Sequence, residues 1–384
     1  MTIPFNKPSF EGAELENVLS AVALGHTAAG GPFTARVVDL LRGELGAADV
    51  LLTSSCTDAL EAAALLLDLG PDDVVIVPSF TFVSTALAFA RTGARVRFAD
   101  IEPETLGLDP ASVAAALDDR VRAVVPVHYA GIGCDLEGLE AALAHSNAAI
   151  VEDNAHGLFG SYRDRPLGSF GRCSTLSFHE TKNFICGEGG ALVLNDESDV
   201  ERAHVLLDKG TNRQQFLLGQ TDKYTWVDTG SSFGMSDLLA AFLLGQLDVR
   251  ERTLGKRRAV SEKYSELLEP FEAELGIRCM RVPSDRLPAY HMFYVILPTA
   301  SVRDLVLDDL ARAGIRATFH YVPLHSSPAA SRFSDGPGEC PVTDDISARL
   351  LRLPFYNELS ASDIERVVET FVEAVRAARD MVSV

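Results

Sequence analysis

The sequence predicts an α/β fold: a large domain built on a mostly parallel sheet, followed by a smaller C-terminal α+β domain. Three observations carry this expectation. Short β-branched apolar runs alternate with amphipathic stretches through the first two thirds of the chain, which is the pattern of βαβ units. Several of those runs end in unusual polar segments, and ligands of parallel sheets bind beyond the carboxyl ends of the strands. The chain has 384 residues, more than one ordinary core organises and enough for two domains.

The elements follow in order. Val74-Val75-Ile76-Val77, Val96-Arg97-Phe98, Ala123 to Val127 and Ala148 to Val151 read as buried strands. Asp58 to Leu69, Pro110 to Leu117 and Leu136 to Ala144 read as helices between strands. A strand-like run from Ser174 to Phe178 precedes the cluster Gly187-Glu188-Gly189-Gly190. From Ser236 a helical pattern (Leu238, Leu239, Phe242, Leu243, Leu247) continues through the charged Arg250 to Arg258 segment as far as Leu268. A second unit follows: strand-like Tyr294 to Leu297, helical Val302 to Ala313, strand-like Ile315 to Thr318, and a last helix from Ser360 to about Ala378. The boundary falls near residue 250, giving a large domain over 1–250 and a small one over 251–384. Ser334-Asp335-Gly336-Pro337-Gly338 reads as a flexible loop.

Composition removes several function classes. With 54 acidic and 34 basic residues the net charge is -20, and no Lys/Arg-rich run offers a nucleic-acid face. Any anionic ligand must be held by a few local groups against this background. The six cysteines are scattered with no C-x-x-C pair, so reduced thiols are expected rather than a zinc site or disulfide framework. No apolar run would span a bilayer, and the first residues do not read as a signal peptide. A cytoplasmic protein with no membrane partner is expected.

The chemistry sits in two neighbouring segments. Ala148-Ala149-Ile150-Val151 ends in Glu152-Asp153-Asn154-Ala155-His156, and the run Ser174 to Phe178 leads into His179-Glu180-Thr181-Lys182-Asn183. A lysine at such a strand end can form an imine with an aldehyde. Released as a neutral amine it can carry a proton, because lysine shifts its pKa readily when desolvated. An aspartate at the neighbouring strand end can pair with a protonated pyridine nitrogen and keep the ring electron-poor. Together these are the minimal kit of a pyridoxal phosphate enzyme. Ser55-Cys56-Thr57 precede a helical pattern and could hold a phosphate at a helix N-terminus. Phe82, just past a strand, could stack on a planar ring, with His156 near its phenolic oxygen. Each residue alone also has an ordinary reading. Lys182 could be a solvated loop lysine, Asp153 and His156 turn residues, Ser55 or Thr57 a plain helix cap, and Phe82 part of the core. Their joint order along the chain makes the case. His320 and His325 are spaced like metal ligands but have no carboxylate or thiol beside them, so no metal is assigned.

At these positions the chain resembles the DegT/StrS-type sugar aminotransferases, pyridoxal phosphate enzymes of fold type I. The likeness runs nearly end to end through Pro4 to Pro8, Ser54 to Leu60, Pro78 to Thr85, Glu152 to His156 and Ser177 to Gly190. Lys209-Gly210-Thr211-Asn212-Arg213 and Asp222 to Ser232 look like the subgroup that aminates dTDP-4-keto-6-deoxyglucose at C4, the dTDP-4-amino-4,6-dideoxygalactose transaminases. The resemblance implies that Lys182 is the imine-forming lysine, Asp153 the partner of the pyridine nitrogen, and Phe82 and His156 the residues beside the ring. It implies that Ser55, Cys56, Thr57 and Ser177 hold the phosphate. Lys209, Arg213 and Lys223 become candidates for the diphosphate of a dTDP-sugar. Glutamate is the implied amino donor, and a homodimer with sites at its interface the implied assembly. The sequence departs from the family pattern twice: Cys56 stands where many members have glycine, and Gly230-Ser231-Ser232 where many have Gly-Tyr-Asn. Two alternatives share the scaffold. In related nucleotide-sugar dehydratases the lysine is replaced, whereas Lys182 is present; a non-catalytic regulator would not need these residues intact.

Overall fold

A computed structural model describes residues 2–336 and 338–382. Its centre is a seven-stranded sheet: β1 (Asp49–Thr53), β2 (Val74–Pro78), β3 (Arg95–Ala99), β4 (Val121–Val124), β5 (Ala149–Asp153), β6 (Cys173–Ser177) and β7 (Gly190–Leu194). The spatial order is β1-β7-β6-β5-β4-β2-β3. β3, β2, β4, β5 and β6 are parallel neighbours, and β7 runs antiparallel between β1 and β6. The helices Cys56–Leu66, Val83–Ala90, Pro110–Ala115 and Leu136–Ala142 fill the crossovers between β1 and β5.

Local chemistry explains these starts and stops. Ser55, Asp109 and Asp135 each accept a backbone N–H of the first helical turn through the side chain, which satisfies donors that a helix N-terminus leaves open. Alternation along β1 sends Val50 and Leu52 to one face with Val37, Leu41 and Leu244, while Leu51 goes to the other with Leu60 and Val75. Gly190 shows what sets the edge of β7. It pairs with both Thr53 and Ser177, and a β-carbon there would meet Cys56 N and Ser55 C at 2.5 Å. Only glycine admits so close a backbone approach.

The C-terminal unit has a three-stranded antiparallel sheet of Arg278–Cys279, Tyr294–Ile296 and Leu350–Arg352. The helices Ala300–Arg312 and Ala361–Val382 pack together against it, with Val306, Leu310, Val367 and Phe371 fully buried. Ile3 joins the same core: its N–H donates to Gly314 O at 2.9 Å, and its carbonyl accepts from Arg316 N at 3.0 Å. The chain's first residues therefore pack with its last third. Among the described residues no helix is long and apolar enough to cross a membrane.

Four sequence expectations need correction. The pattern from Ser236 to Leu268 is two helices, Asp237–Asp248 and Arg250–Leu268, because Val249 leaves helical geometry (φ -109°, ψ 18°). β4 ends at Val124, not Val127; Pro126 has no N–H to extend the ladder, and Val127 makes only one bridge, to Asp153. Ile315 to Thr318 is not a ladder strand, since Ile315 bridges Ile3 and Thr318 bridges Arg352 singly. The loop at Ser334 to Gly338 is tied down rather than free. Asp335 N donates to Val96 O at 2.7 Å, and its carboxylate pairs with Arg97 and Arg120; Pro337 lies outside the described residues.

Candidate active site

The carboxyl ends of β1, β5 and β6 open into one cavity of about 510 Å³, within the size range of small-ligand sites. All eight residues expected around a cofactor line it: Ser55, Cys56, Thr57, Phe82, Asp153, His156, Ser177 and Lys182. Residues more than 100 positions apart in sequence meet there because parallel strands deliver their ends to one edge.

At one end lies the N-terminus of helix Cys56–Leu66. Ser55 Oγ accepts the Asp58 N–H at 3.0 Å, so the capping reading of Ser55 is true. The same residue also faces the cavity, and the two readings are compatible. Thr57 Oγ1 lies 2.8 Å from Ser84 Oγ. Burial, and then the nearby Asp153 charge, push the Cys56 thiol up to about 12, so it stays protonated. Ser177, the last residue of β6, adds a hydroxyl. Hydroxyls and N–H groups at a helix start suit an anion such as a phosphate.

Asp153 closes the deep end and is 5% exposed. Thr81 and Thr85 hydroxyls lie 2.8 Å apart, and Thr85 Oγ1 donates to Asp153 Oδ2 at 2.7 Å. The Ala155 N–H reaches the other oxygen at 3.3 Å. Burial raises the Asp153 carboxyl, with Thr85, Ala155 and Lys182 pulling the other way. Two donors leave much of a carboxylate's acceptor capacity unused. A cationic N–H fits that vacancy and would bring the carboxyl back down.

Adjacent Glu152 points to the opposite face and does different work. It is fully buried and accepts the backbone N–H groups of Gly168, Phe170 and Gly171 at 2.7–2.8 Å, and His128 Nε2 at 2.9 Å. Burial alone would raise this carboxyl; the hydrogen bonds from His128 and the backbone outweigh it. Cys134 N–H donates to His128 Nδ1, which leaves the ring's proton on Nε2 toward Glu152. The end of β5 is thereby stitched to the turn beside it.

Lys182 is half-buried, with its side chain projecting into the cavity. Desolvation lowers its ammonium from the usual 10.5 to about 8; Asp153 opposes this and the Arg352 cation adds to it. The solvated-loop reading of Lys182 fails on this placement. Phe82 is 59% exposed and lines the cavity, so it is not core. His156 stacks on His291 with centroids 4.2 Å apart and planes 19° apart, and its Nδ1 is buried without a partner. Burial, reinforced by Lys182, holds the His156 ring neutral. His291 Nδ1 in turn meets Asn183 Oδ1 at 3.0 Å.

The three surface cations are elsewhere. Lys209, Arg213 and Lys223 do not line this cavity, and Lys209 and Arg213 pair with Asp208. His320 lines the cavity, whereas His325 Nδ1 bonds Ser79 Oγ at 2.6 Å, so the two histidines part company. Among the described residues no cluster of three or more His, Cys, Asp or Glu could hold a metal. Sequence reasoning missed Thr85, His291, Tyr321 and Arg352, all of which line the cavity. Arg352 left one legible signal, a charge inside the apolar run Leu350-Leu351-Arg352-Leu353.

Pyridoxal phosphate fits this set of residues. An anion cradle, an under-bonded buried carboxylate, an orphaned histidine nitrogen and a desolvated lysine converge on one cavity.

Comparison with known proteins agrees. The spore coat polysaccharide biosynthesis protein SpsC of Bacillus subtilis (strain 168) is 29% identical over 98% of both chains. A pleiotropic regulatory protein of Geobacillus stearothermophilus is 30% identical over 83% of both. The crystal structure of the aminotransferase TlmJ from Streptoalloteichus hindustanus superposes with a TM-score of 0.90 at 30% identity, covering 98% of this chain and 100% of that one. The model of the DegT/DnrJ/EryC1/StrS aminotransferase family matches residues 9–372. This chain therefore belongs to that family of pyridoxal phosphate-dependent sugar aminotransferases.

Proposed function

We propose that this enzyme moves an amino group from L-glutamate to C4 of a dTDP-4-keto-6-deoxyhexose, as a cytoplasmic homodimer with the domain division near residue 250. The observation that carries the transaminase reading is Lys182, a desolvated amine facing Asp153 across one cavity. The choice of sugar and donor rests on the likeness of the Lys209 to Arg213 and Asp222 to Ser232 segments to the C4-aminating subgroup.

When bound, pyridoxal phosphate supplies an aldehyde that takes up the donor's amino group and an electron-poor ring that withdraws charge from the carbon losing its proton. The helix start at Ser55-Cys56-Thr57, with Ser177, would hold its phosphate. Asp153 would hold the ring nitrogen's proton, with Thr85 fixing the carboxylate. Phe82 and His156 would flank the ring. Lys182 would take the α-proton of the donor at Nζ and deliver a proton back. Desolvation suits it to both tasks, because it lowers the ammonium from the usual 10.5 to about 8. Glutamate leaves as 2-oxoglutarate, and the 4-keto sugar leaves as the 4-amino sugar. Lys209, Arg213 and Lys223 are assigned to the sugar diphosphate through the homodimer, one subunit's loop serving the other's cavity.

The test is incubation of the holoenzyme with L-glutamate and dTDP-4-keto-6-deoxyglucose, followed by mass spectrometry and NMR. A new amine at C4 together with 2-oxoglutarate is expected, and the H3–H4 coupling assigns gluco or galacto. Formation of 2-oxoglutarate with the sugar unchanged would remove the sugar assignment. A bound cofactor with neither half-reaction would move the dehydratase and regulator readings forward.

A further inference from the structure

His291 lines the cavity at 5% exposure and takes no part in the proposed proton transfer or cofactor contacts. Its ring nevertheless touches both sides of that chemistry. The face lies flat on His156, with centroids 4.2 Å apart. The edge reaches the residue after the lysine: His291 Nδ1 is 3.0 Å from Asn183 Oδ1. Asn183 Nδ2 donates to Ala289 O at 2.5 Å. A carbonyl oxygen only accepts, so the amide nitrogen must face Ala289 and the amide oxygen His291. That oxygen also only accepts. The proton of a neutral His291 ring is thereby fixed on Nδ1, and Nε2 is left as an acceptor. Burial first, then His156 and the Lys182, Arg257 and Arg352 charges, hold the ring neutral.

His291 is itself held through its backbone. Its N–H donates to Ala130 O at 3.3 Å, and its carbonyl accepts from Arg257 Nη2 at 2.7 Å. Two residues earlier, Ala289 N–H donates to Gly131 O at 2.9 Å. The two side chains on either side of it have no such ties. Lys182 has a flexible four-carbon stem, and among the described residues its Nζ makes no hydrogen bond or ion pair. The His156 ring makes no hydrogen bond among the described residues, and its Nδ1 is buried. What orients these two groups must come through their neighbours, and His291 contacts both the His156 ring and the Lys182 loop.

We propose that His291 is a positioning residue that sets Lys182 and His156 in register: its edge fixes the lysine's loop through Asn183, and its face fixes the histidine ring. The inference rests on the roles proposed for Lys182 and His156. In pyridoxal phosphate the aldehyde and the phenolic oxygen are carried on adjacent ring carbons. The amine that meets one and the imidazole that meets the other therefore need a fixed separation. An amine held in place reacts with a bound aldehyde faster than one that wanders, because its freedom has been removed beforehand. The clamp also crosses the fold. Asn183 belongs to the loop after β6, whereas His291 precedes the strand Tyr294–Ile296 of the C-terminal sheet. Lys182 is thus set by the C-terminal unit as well as by the sheet that carries it.

The experiment uses cofactor-free protein in four forms: wild type, His291→Phe, Asn183→Ala and the double variant. His291→Phe keeps a flat ring against His156 and removes the bond to Asn183; Asn183→Ala removes the same bond from the other side. Three readouts are taken: the rate of pyridoxal phosphate capture by absorbance, the affinity for pyridoxamine phosphate by calorimetry, and the histidine nitrogen shifts by NMR. Pyridoxamine phosphate has no aldehyde and cannot bond covalently to Lys182. Each single variant is expected to slow capture roughly 10-fold while pyridoxamine phosphate binds as in the wild type. The double variant should be no slower than either single one, because both break one contact. In the wild type the NMR signal that His291→Phe removes should be that of a ring protonated on Nδ1. Equal losses of capture and of pyridoxamine phosphate affinity would overturn the proposal, since they would reflect a damaged pocket. So would wild-type capture in both single variants, additive losses in the double variant, or a His291 proton on Nε2. Asn183→Ala decides alone should His291→Phe not fold. Lys182→Ala is the control. Capture persisting there would remove the role of Lys182 and the proposal with it, whereas capture lost there and normal in the other variants overturns the proposal alone.

Discussion

Lys182 must be a neutral amine to capture an aldehyde and an ammonium to return a proton, and its surroundings place the changeover near pH 8. Desolvation penalises the ammonium form, so the neutral fraction grows as pH rises through about 8 rather than 10.5. The rate at which cofactor-free protein captures pyridoxal phosphate should therefore rise with pH and level off above about 9, when followed by the absorbance of the imine; a midpoint near 10.5 would contradict the burial argument. Lys182→Ala should lose that absorbance and all turnover while its circular dichroism is unchanged. Thr85 acts one contact further back. Thr85→Val removes the 2.7 Å donor to Asp153, so the already raised carboxyl rises further. Turnover should fall by roughly 10-fold, with part of the loss recovered as pH rises, because a raised carboxyl needs higher pH to ionise; a loss independent of pH would point to simple repacking. The sequence marked Asp153 and Lys182 because each ends an apolar run. It could not mark Thr85, whose only distinction is a hydroxyl brought to Asp153 from 68 positions away in the chain.

At the level of elements, the anion cradle depends on how closely β7 approaches the start of helix Cys56–Leu66. Gly190→Ala would drive a methyl into backbone atoms of Ser55 and Cys56 at 2.5–2.6 Å, and backbone cannot step aside as a flexible side chain can. Pyridoxal phosphate should bind at least roughly 10-fold more weakly, measured by equilibrium dialysis, with thermal stability lowered as well. Wild-type affinity in that variant would mean that the cradle lies elsewhere. The helix itself was readable from Ser55 and the amphipathic run after it. The insertion of β7 between β1 and β6 was not, because β1 and β7 lie far apart in the chain and such a pairing leaves no local trace.

For the whole molecule, the notable tie is between the ends of the chain. Ile3 is bound into the C-terminal core, and Phe5 covers the Arg352 guanidinium while its carbonyl accepts the Phe355 N–H at 3.0 Å. Deleting residues 1–6 uncovers apolar surface on the C-terminal unit and releases Arg352. A loss of roughly 2–5 kcal/mol is expected in denaturant unfolding. A truncated protein of wild-type stability would show that the N-terminal segment is incidental.

The sequence by itself determined the alternation of strands and helices, the helix caps, and the strand-end residues of the cavity, because spacing, turn chemistry and polarity are local properties. Through resemblance it also pointed to the family. Only the tertiary structure decided the reversed strand β7, the break at Val249, the Thr85 and Glu152 supports, and the His291 contacts. Each of these depends on which distant residues share a neighbourhood, and hydrogen bonding and desolvation act on neighbours in space rather than in sequence.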